Sequence, residues 1–380
     1  MRILIAADIF PPLGGGPAIY AAGLANALTA AGDTVRVVSL TPNSDKAVVD
    51  CPLFSVRYRG IFRYLEYLGL LFRFVKDNDA VYAMGPVNAG LPAWFAARLF
   101  GKKFIVKVVG DYAWEQGVQR AGVKELVDEF QTKKYSGIVG VWQKIERLIV
   151  RQADQVIVPS RYLQKIVMGW GAQAKKIQVI YNAVAFVDSG NLVVQKPTGE
   201  LWITTLARLV PWKGIPALVN VFKKISFDFP DTRLKIIGDG PERATLETMV
   251  VNAKLQNRVE FLGNIPNEIV HEYLKKSEIF VLNSGYEGLS HVLVEALHAN
   301  CRVLASAVGG NPEIIIPQET GVLFPYNDEV VLEKELREAM IVRQTRPFSN
   351  TISRSEFFQK FDFGKMIEET RTLLQKLCAH

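Results

Sequence analysis

Residues 281–300 read VLNSGYEGLSHVLVEALHAN. An apolar run ends at Leu282, a glycine-containing turn carries Glu287, and a run of helical character carries Glu295. That order is strand, loop, helix. Seven residues separate the two glutamates, ~10–12 Å at helical pitch. The gap is too wide for an acid/base pair acting on one bond. It suits two grips on one elongated ligand. The helix-start N–H groups of Leu289, Ser290 and His291 lie between them, where an anion binds well.

The same rhythm extends outward from this stretch. Apolar runs at 201–206, 233–237, 258–261, 279–282, 302–305 and 321–324 alternate with helical patterns. A matching series occupies 3–7, 34–40, 80–83, 104–109, 155–159 and 177–181. Two such series predict two doubly wound parallel sheets of α/β class. Asp188, Ser189, Gly190, Pro197 and Gly199 break the rhythm between 186 and 200, so a domain boundary is expected there. The expected domains are 1–187 and 198–357, with a last helical pattern over 355–377 returning to the first domain from about 358 to 380.

Four loops of the second half each follow a predicted strand and so share one ligand-facing edge. They carry Arg208 and Lys213, then Gly238 and Gly240, then Glu287, then Gly309 and Gly310. Arg and Lys so placed neutralise a diphosphate. A sugar, a diphosphate and a ribose along one ligand suit the Glu287–Glu295 spacing. In the first half Gly14, Gly15 and Gly16 precede a helical run and let backbone N–H groups approach a ligand. They do not form G-x-G-x-x-G, which argues against a dinucleotide cofactor.

These segments resemble a known family. ARLVPWKG (207–214), IIGDGPE (236–242), YEGLSHVLVEAL (286–297), SAVGGNPEII (306–315) and PPLGGGPAIY (11–20) look like glycosyltransferase family 4. Its members are retaining enzymes of the GT-B fold, two Rossmann-like domains facing a cleft. The resemblance implies that Arg208 and Lys213 hold the diphosphate of a nucleotide-sugar donor. It also implies that Glu287 meets the sugar, that Glu295 takes the ribose, and that Gly15 and Gly16 line the cleft. The first domain would meet a lipid-linked or polysaccharide acceptor. Where the family often carries His after the 104–109 strand, this chain has Gly110-Asp111, which leaves Asp111 as the one carboxylate candidate from the first domain. Asn283 stands where Pro is common, and Ser290-His291 where small or apolar pairs are common. The expected activity is hexosyl transfer with retention, without a cofactor or metal. A sugar-nucleotide epimerase and a non-catalytic nucleotide-sugar-binding protein are the alternatives. His291, Glu295 and His298 share a helix face, but two histidines at that spacing are an incomplete zinc set.

Composition bounds the rest. The chain has 380 residues, 49% hydrophobic and 22% charged, which excludes disorder. The net charge of +7 lies in the first half, where 23 Lys+Arg face 15 Asp+Glu over 1–190. Residues 57–76, RYRGIFRYLEYLGLLFRFVK, hold five cations, one acid and six aromatics. They predict a basic amphipathic helix, packed on its own domain or lying on an anionic membrane. Nucleic acid is not among the expected partners. Three scattered cysteines point to a reducing compartment, and early Asp8 argues against a signal peptide. The expected location is cytoplasmic, with a peripheral contact at the inner face of the plasma membrane. The uncharged run 80–97 contains Gly85, Pro86, Asn88, Gly90 and Pro92 and reads as strand, turn and buried helix. Asp77-Asn78-Asp79 reads as a polar turn.

Overall fold

The apolar runs become strands, the central ones buried on both faces, as parallel sheets require. The computed structural model describes residues 1–13, 16–42, 49–184, 194–317, 319–345 and 354–379. Contacts divide the chain into two units, Met1–Tyr181 with Phe363–His380, and Asn182–Asp362. The expected break at 186–200 lies in part outside the described residues.

The first unit runs β1 (Arg2–Ala7), α1 (Gly16–Ala30), β2 (Thr34–Ser39), β3 (Leu53–Ser55), α2 (Phe62–Val75), β4 (Ala80–Met84) and α3 (Leu91–Leu99). It continues through β5 (Lys103–Lys107), α4 (Tyr112–Arg120), α5 (Val127–Thr132), α6 (Gly137–Gln152), β6 (Gln155–Val158), α7 (Arg161–Gly169) and β7 (Ile177–Val179). The strands are parallel in the order β3-β2-β1-β4-β5-β6-β7. Ile3 pairs with Val35 on one side and Ala80 on the other. Leu4, Val81, Val106 and Val156 pack under α2, α3 and α6 in one apolar cluster.

The second unit runs β8 (Leu201–Leu206), α8 (Ile215–Asp228), β9 (Thr232–Ile237), α9 (Arg243–Asn252), β10 (Val259–Gly263), α10 (Asn267–Lys276) and β11 (Ile279–Leu282). It ends with α11 (His291–His298), β12 (Arg302–Ser306), β13 (Gly321–Phe324), α12 (Glu329–Thr345) and α13 (Arg354–Gln359). Its six strands are parallel in the order β10-β9-β8-β11-β12-β13. In each sheet the order reverses once, between β1 and β4 and between β8 and β11. Ligands of open α/β sheets bind outside the carboxyl ends of the strands at such reversals.

Three sequence expectations change. β3 was not foreseen, because three half-buried residues at a sheet edge show no pattern. The single helix expected over 355–377 is two, α13 and α14 (Phe363–Cys378). They are separated where buried Phe361 turns into the second unit and its carbonyl accepts from Val184 N–H at 3.1 Å. α14 returns to the first unit. Arg371 there reaches Asp33 and the Ala31 carbonyl, each at 2.8 Å, capping the carboxyl end of α1. The basic helix is shorter than 57–76. Arg57 and Tyr58 precede α2, and their N–H groups donate to the Glu66 carboxylate at 2.7 and 3.0 Å.

The 80–97 run forms β4, a π-helical turn over Pro86–Gly90, and α3. Among the described residues no helix is long and apolar enough to cross a membrane. Asp79 binds the N–H and guanidinium of Arg2 at the turn before β4. All three cysteines are free.

Candidate active site

In the second unit the reversal between β8 and β11 brings two loops together. The loop after β8 makes a 3-10 turn over Pro211–Lys213 and enters α8 through Gly214 in a left-handed conformation, φ 56°. A side chain on Gly214 would strike Asn283. Asn283 is the residue that departs from the family's Pro, and it stitches the site. Its carboxamide donates to the Gly214 carbonyl at 2.9 Å, and its oxygen accepts from Asn327 N–H at 3.0 Å. Gly285 N–H donates to the Trp212 carbonyl at 2.6 Å. Ser306 Oγ donates to the Ser284 carbonyl at 2.6 Å, fixing the same loop to β12.

One ion pair closes this frame. Lys213 Nζ donates to Glu287 Oε1 at 2.5 Å, and both side chains are mostly buried. Arg208 is exposed and makes no ion pair among the described residues. Glu295 is half-buried on α11, and burial pushes its carboxyl up to about 7. Leu289 and Ser290 are buried where α11 begins, and the Ser290 hydroxyl has no partner among the described residues. His291 opens the helix. His298 turns instead to His271 and Phe358, with ring centroids 5.8 and 5.5 Å away. No three His, Cys, Asp or Glu side chains among the described residues are grouped to hold a metal ion.

The four glycines named from this edge have a packing reason to be glycine. A Cβ on Gly238 or Gly240 would collide with the carbonyls of Ala207 and Leu209, and one on Gly309 or Gly310 with those of Glu287 and Gly288. Gly310 N–H donates to the Glu287 carbonyl at 2.9 Å. These glycines let neighbouring loops pack backbone to backbone, and so hold Arg208 and Glu287 in place.

In the first unit Gly16 begins α1 at an exposed position, while Gly15 lies outside the described residues. Asp111, expected as a substrate-facing carboxylate, caps α4. It is 1% exposed; Oδ1 accepts from Trp114 N–H and Oδ2 from Gln131, each at 2.7 Å. Glu146 takes the Tyr112 N–H at 2.8 Å, so protein carboxylates fill the start of α4. Burial raises Asp111 to about 6 and Glu146 well above the usual range, the latter pushed further by Asp111 itself. Sequence reading overlooked Asp8, a carboxylate at the carboxyl end of β1. Its signal was plain, since a charge directly after a buried parallel strand sits on the ligand edge.

Known proteins agree with this architecture. Sucrose-phosphate synthase from Thermosynechococcus elongatus superposes with a TM-score of 0.80 at 22% identity, covering 100% of this chain and 99% of that one. HepE from Anabaena, solved in complex with UDP-glucose, superposes at 0.77 with 19% identity, covering 99% and 100%. Identities this low establish the fold, GT-B. In sequence, the GPI3 subunit of phosphatidylinositol N-acetylglucosaminyltransferase from Saccharomyces cerevisiae is 23% identical over 257 residues, 66% of this chain. The chain spans 57% of that relative's length. Residues 15–183 match the glycosyl transferase 4-like domain and residues 193–347 match glycosyl transferases group 1. The two matches occupy both units, and the chain belongs to the group 1 glycosyltransferases.

Proposed function

We propose that the chain transfers a hexose from a nucleotide-diphosphate sugar to a hydroxyl of a lipid-linked or polysaccharide acceptor, with retention at the anomeric carbon. The observation that carries this reading is the Lys213–Glu287 pair at the strand-order reversal of the second sheet, with Arg208 exposed on the same loop as Lys213 and making no ion pair among the described residues. A donor diphosphate would take Lys213 and Arg208, releasing Glu287 toward the sugar hydroxyls. Glu295 would accept from the ribose hydroxyls. HepE, of the same fold, is solved with UDP-glucose, which favours a donor of this class.

In the transfer the bond from the anomeric carbon to the diphosphate oxygen breaks, and the bond to the acceptor oxygen forms on the same face. The acceptor proton passes to the departing diphosphate oxygen. Arg208, Lys213 and the start of α11 stabilise the charge developing there. No cofactor or metal ion enters these steps.

The acceptor side of the reading includes peripheral contact with an anionic membrane from the cytoplasmic side. Ile61 just before α2 and Phe62 and Leu65 on it are 65–70% exposed, and Phe95 and Leu99 on α3 are exposed as well. The helices pack together, with the Phe72 and Phe95 rings 5.9 Å apart. Arg73, Lys76 and Arg98 are exposed on the same two segments. Glu66, the one acid of α2, is held by backbone N–H groups. Apolar side chains rimmed by cations suit an anionic lipid surface.

A thermal-shift panel of nucleoside diphosphates and sugar nucleotides tests the donor reading. A raised midpoint is expected, because these ligands bind only the folded state. No shift across the panel would overturn it. Incubation with donor alone separates the epimerase, which would return an altered sugar without any acceptor.

A further inference from the structure

A fifth loop joins the four at the ligand edge of the second sheet: residues 325–328, which follow β13. Asn327 turns the chain there with φ 57°, a left-handed conformation that Asn tolerates better than most side chains. Asp328 then caps α12, its Oδ1 accepting from the N–H groups of Val330 and Val331 at 3.1 and 3.0 Å. The strand before it and the capped helix after it hold this loop at both ends.

Its link to the site is Asn283, 2% exposed at the carboxyl end of β11. Asn283 Nδ2 donates to the Gly214 carbonyl and to Asn327 Oδ1, each at 2.9 Å, and Asn283 Oδ1 accepts the Asn327 N–H at 3.0 Å. Turning the carboxamide over would set oxygen against oxygen at Gly214 and N–H against N–H at Asn327, so its orientation is fixed. The Asn327 side chain is hydrogen-bonded in turn to the Tyr326 phenol. β8 lies on one side of β11, with β12 and then β13 on the other. One buried carboxamide thus ties together loops from three strands. The Pro common at this position in the family has no side-chain donor or acceptor, so the seam depends on the asparagine.

Gly214 directly follows Lys213, and its carbonyl also accepts the Leu218 N–H in the first turn of α8, at 3.3 Å. It packs so closely on β11 that a Cβ would meet the Asn283 backbone. Lys213 is therefore held from two directions, through its backbone by Asn283 and through its amine by Glu287. A charge displaced by about 1 Å loses much of its effect on a bound group.

We propose that Asn283 is a positioning residue for the diphosphate: anchored on the loop after β13, it fixes the Gly214 carbonyl and through it the place of Lys213. That the ligand is a diphosphate rests on the donor reading.

The test is a double-mutant cycle with Lys213→Ala, read by titration calorimetry of the full chain with UDP and with GDP at one salt concentration. Asn283→Ala should weaken the nucleotide that binds about tenfold, the scale of a displaced charged hydrogen bond. In the Lys213→Ala background the same substitution should change affinity less than about twofold, because the group it positions is gone. A merely structural role would cost the same in both backgrounds. Asn327→Gly keeps the φ and the N–H of the turn and removes only its carboxamide. Its loss, about threefold, stays readable if Asn283→Ala does not fold. Parent-like affinity in the folded variants, or an equal loss with and without Lys213, would overturn the proposal while leaving the donor reading intact. Binding of neither nucleotide to the parent protein would overturn the donor reading and the proposal together.

Discussion

Lys213 Nζ and Glu287 Oε1 stand 2.5 Å apart, joining the loop after β8 to the loop after β11. Two residues 74 apart in sequence are thereby paired at the strand-order reversal. On the proposed reading a donor diphosphate would exchange places with the Glu287 carboxylate on Lys213. Lys213→Ala should lower turnover by about 10²–10³-fold, the scale of removing one charge-stabilising donor. Circular dichroism should be unchanged. Turnover near that of the parent protein would remove Lys213 from the mechanism.

Glu295 gives a pH dependence with a defined sign. Burial raises its carboxyl from 4.5 to about 7. The folded chain therefore holds this proton more tightly than the unfolded chain, and its contribution to stability declines as pH rises from about 4.5 to about 7. Glu295→Gln, neutral at every pH, should raise the unfolding midpoint of the free protein at pH 8 and leave it nearly unchanged at pH 4.5. If Glu295 takes the ribose hydroxyls, its ionised form accepts them more strongly, so sugar-nucleotide affinity should climb between pH 6 and 8 in the parent and stay flat in the variant. Equal slopes by calorimetry would place the ribose elsewhere.

Asp111 separates capping from catalysis. Asn caps helices as well as Asp does, and Asp111→Asn relieves the repulsion from Glu146. Activity should persist in Asp111→Asn, while Asp111→Ala should cost about 0.5–2 kcal/mol in denaturant unfolding. An inactive but fully stable Asp111→Asn protein would restore the carboxylate to the chemistry.

Gly309 has φ 57°, and a Cβ on it would strike the Glu287 carbonyl. Gly309→Ala should destabilise the second unit by about 1–3 kcal/mol and weaken nucleotide-sugar binding by displacing Glu287. Titration calorimetry showing parent-like affinity would mean the loop absorbs the methyl group.

The α2–α3 face should bind vesicles containing phosphatidylglycerol and ignore pure phosphatidylcholine, with binding falling as salt is raised. Phe62→Ser with Leu65→Ser should abolish co-sedimentation and leave nucleotide binding intact. Salt-insensitive binding, or none at low salt, would count against the contact.

The sequence carried most of the fold. Twelve of its apolar runs are strands, because a strand buried on both faces must be apolar throughout, and that shows without a partner. β3 was illegible since an edge strand of three half-buried residues needs no such run. The break between α13 and α14 was hidden because both helices continue one amphipathic pattern across Phe361, which is buried in the second unit while α14 belongs to the first.

For the site, local sequence nominated residues for contact with a ligand. Arg208, Lys213, Glu287 and Glu295 sit on loops or a helix start that follow predicted strands, and strand-then-loop order alone puts them on one sheet edge. Tertiary structure decided what each is free to do. It paired Lys213 with Glu287, left Arg208 in solvent, and desolvated Glu295. It assigned both Asp111 oxygens to a helix cap and brought Asp8 beside Asn88, 80 residues further along. Hydrogen-bond partners and burial are set by contacts between distant segments, and a residue's neighbours in the chain do not specify them.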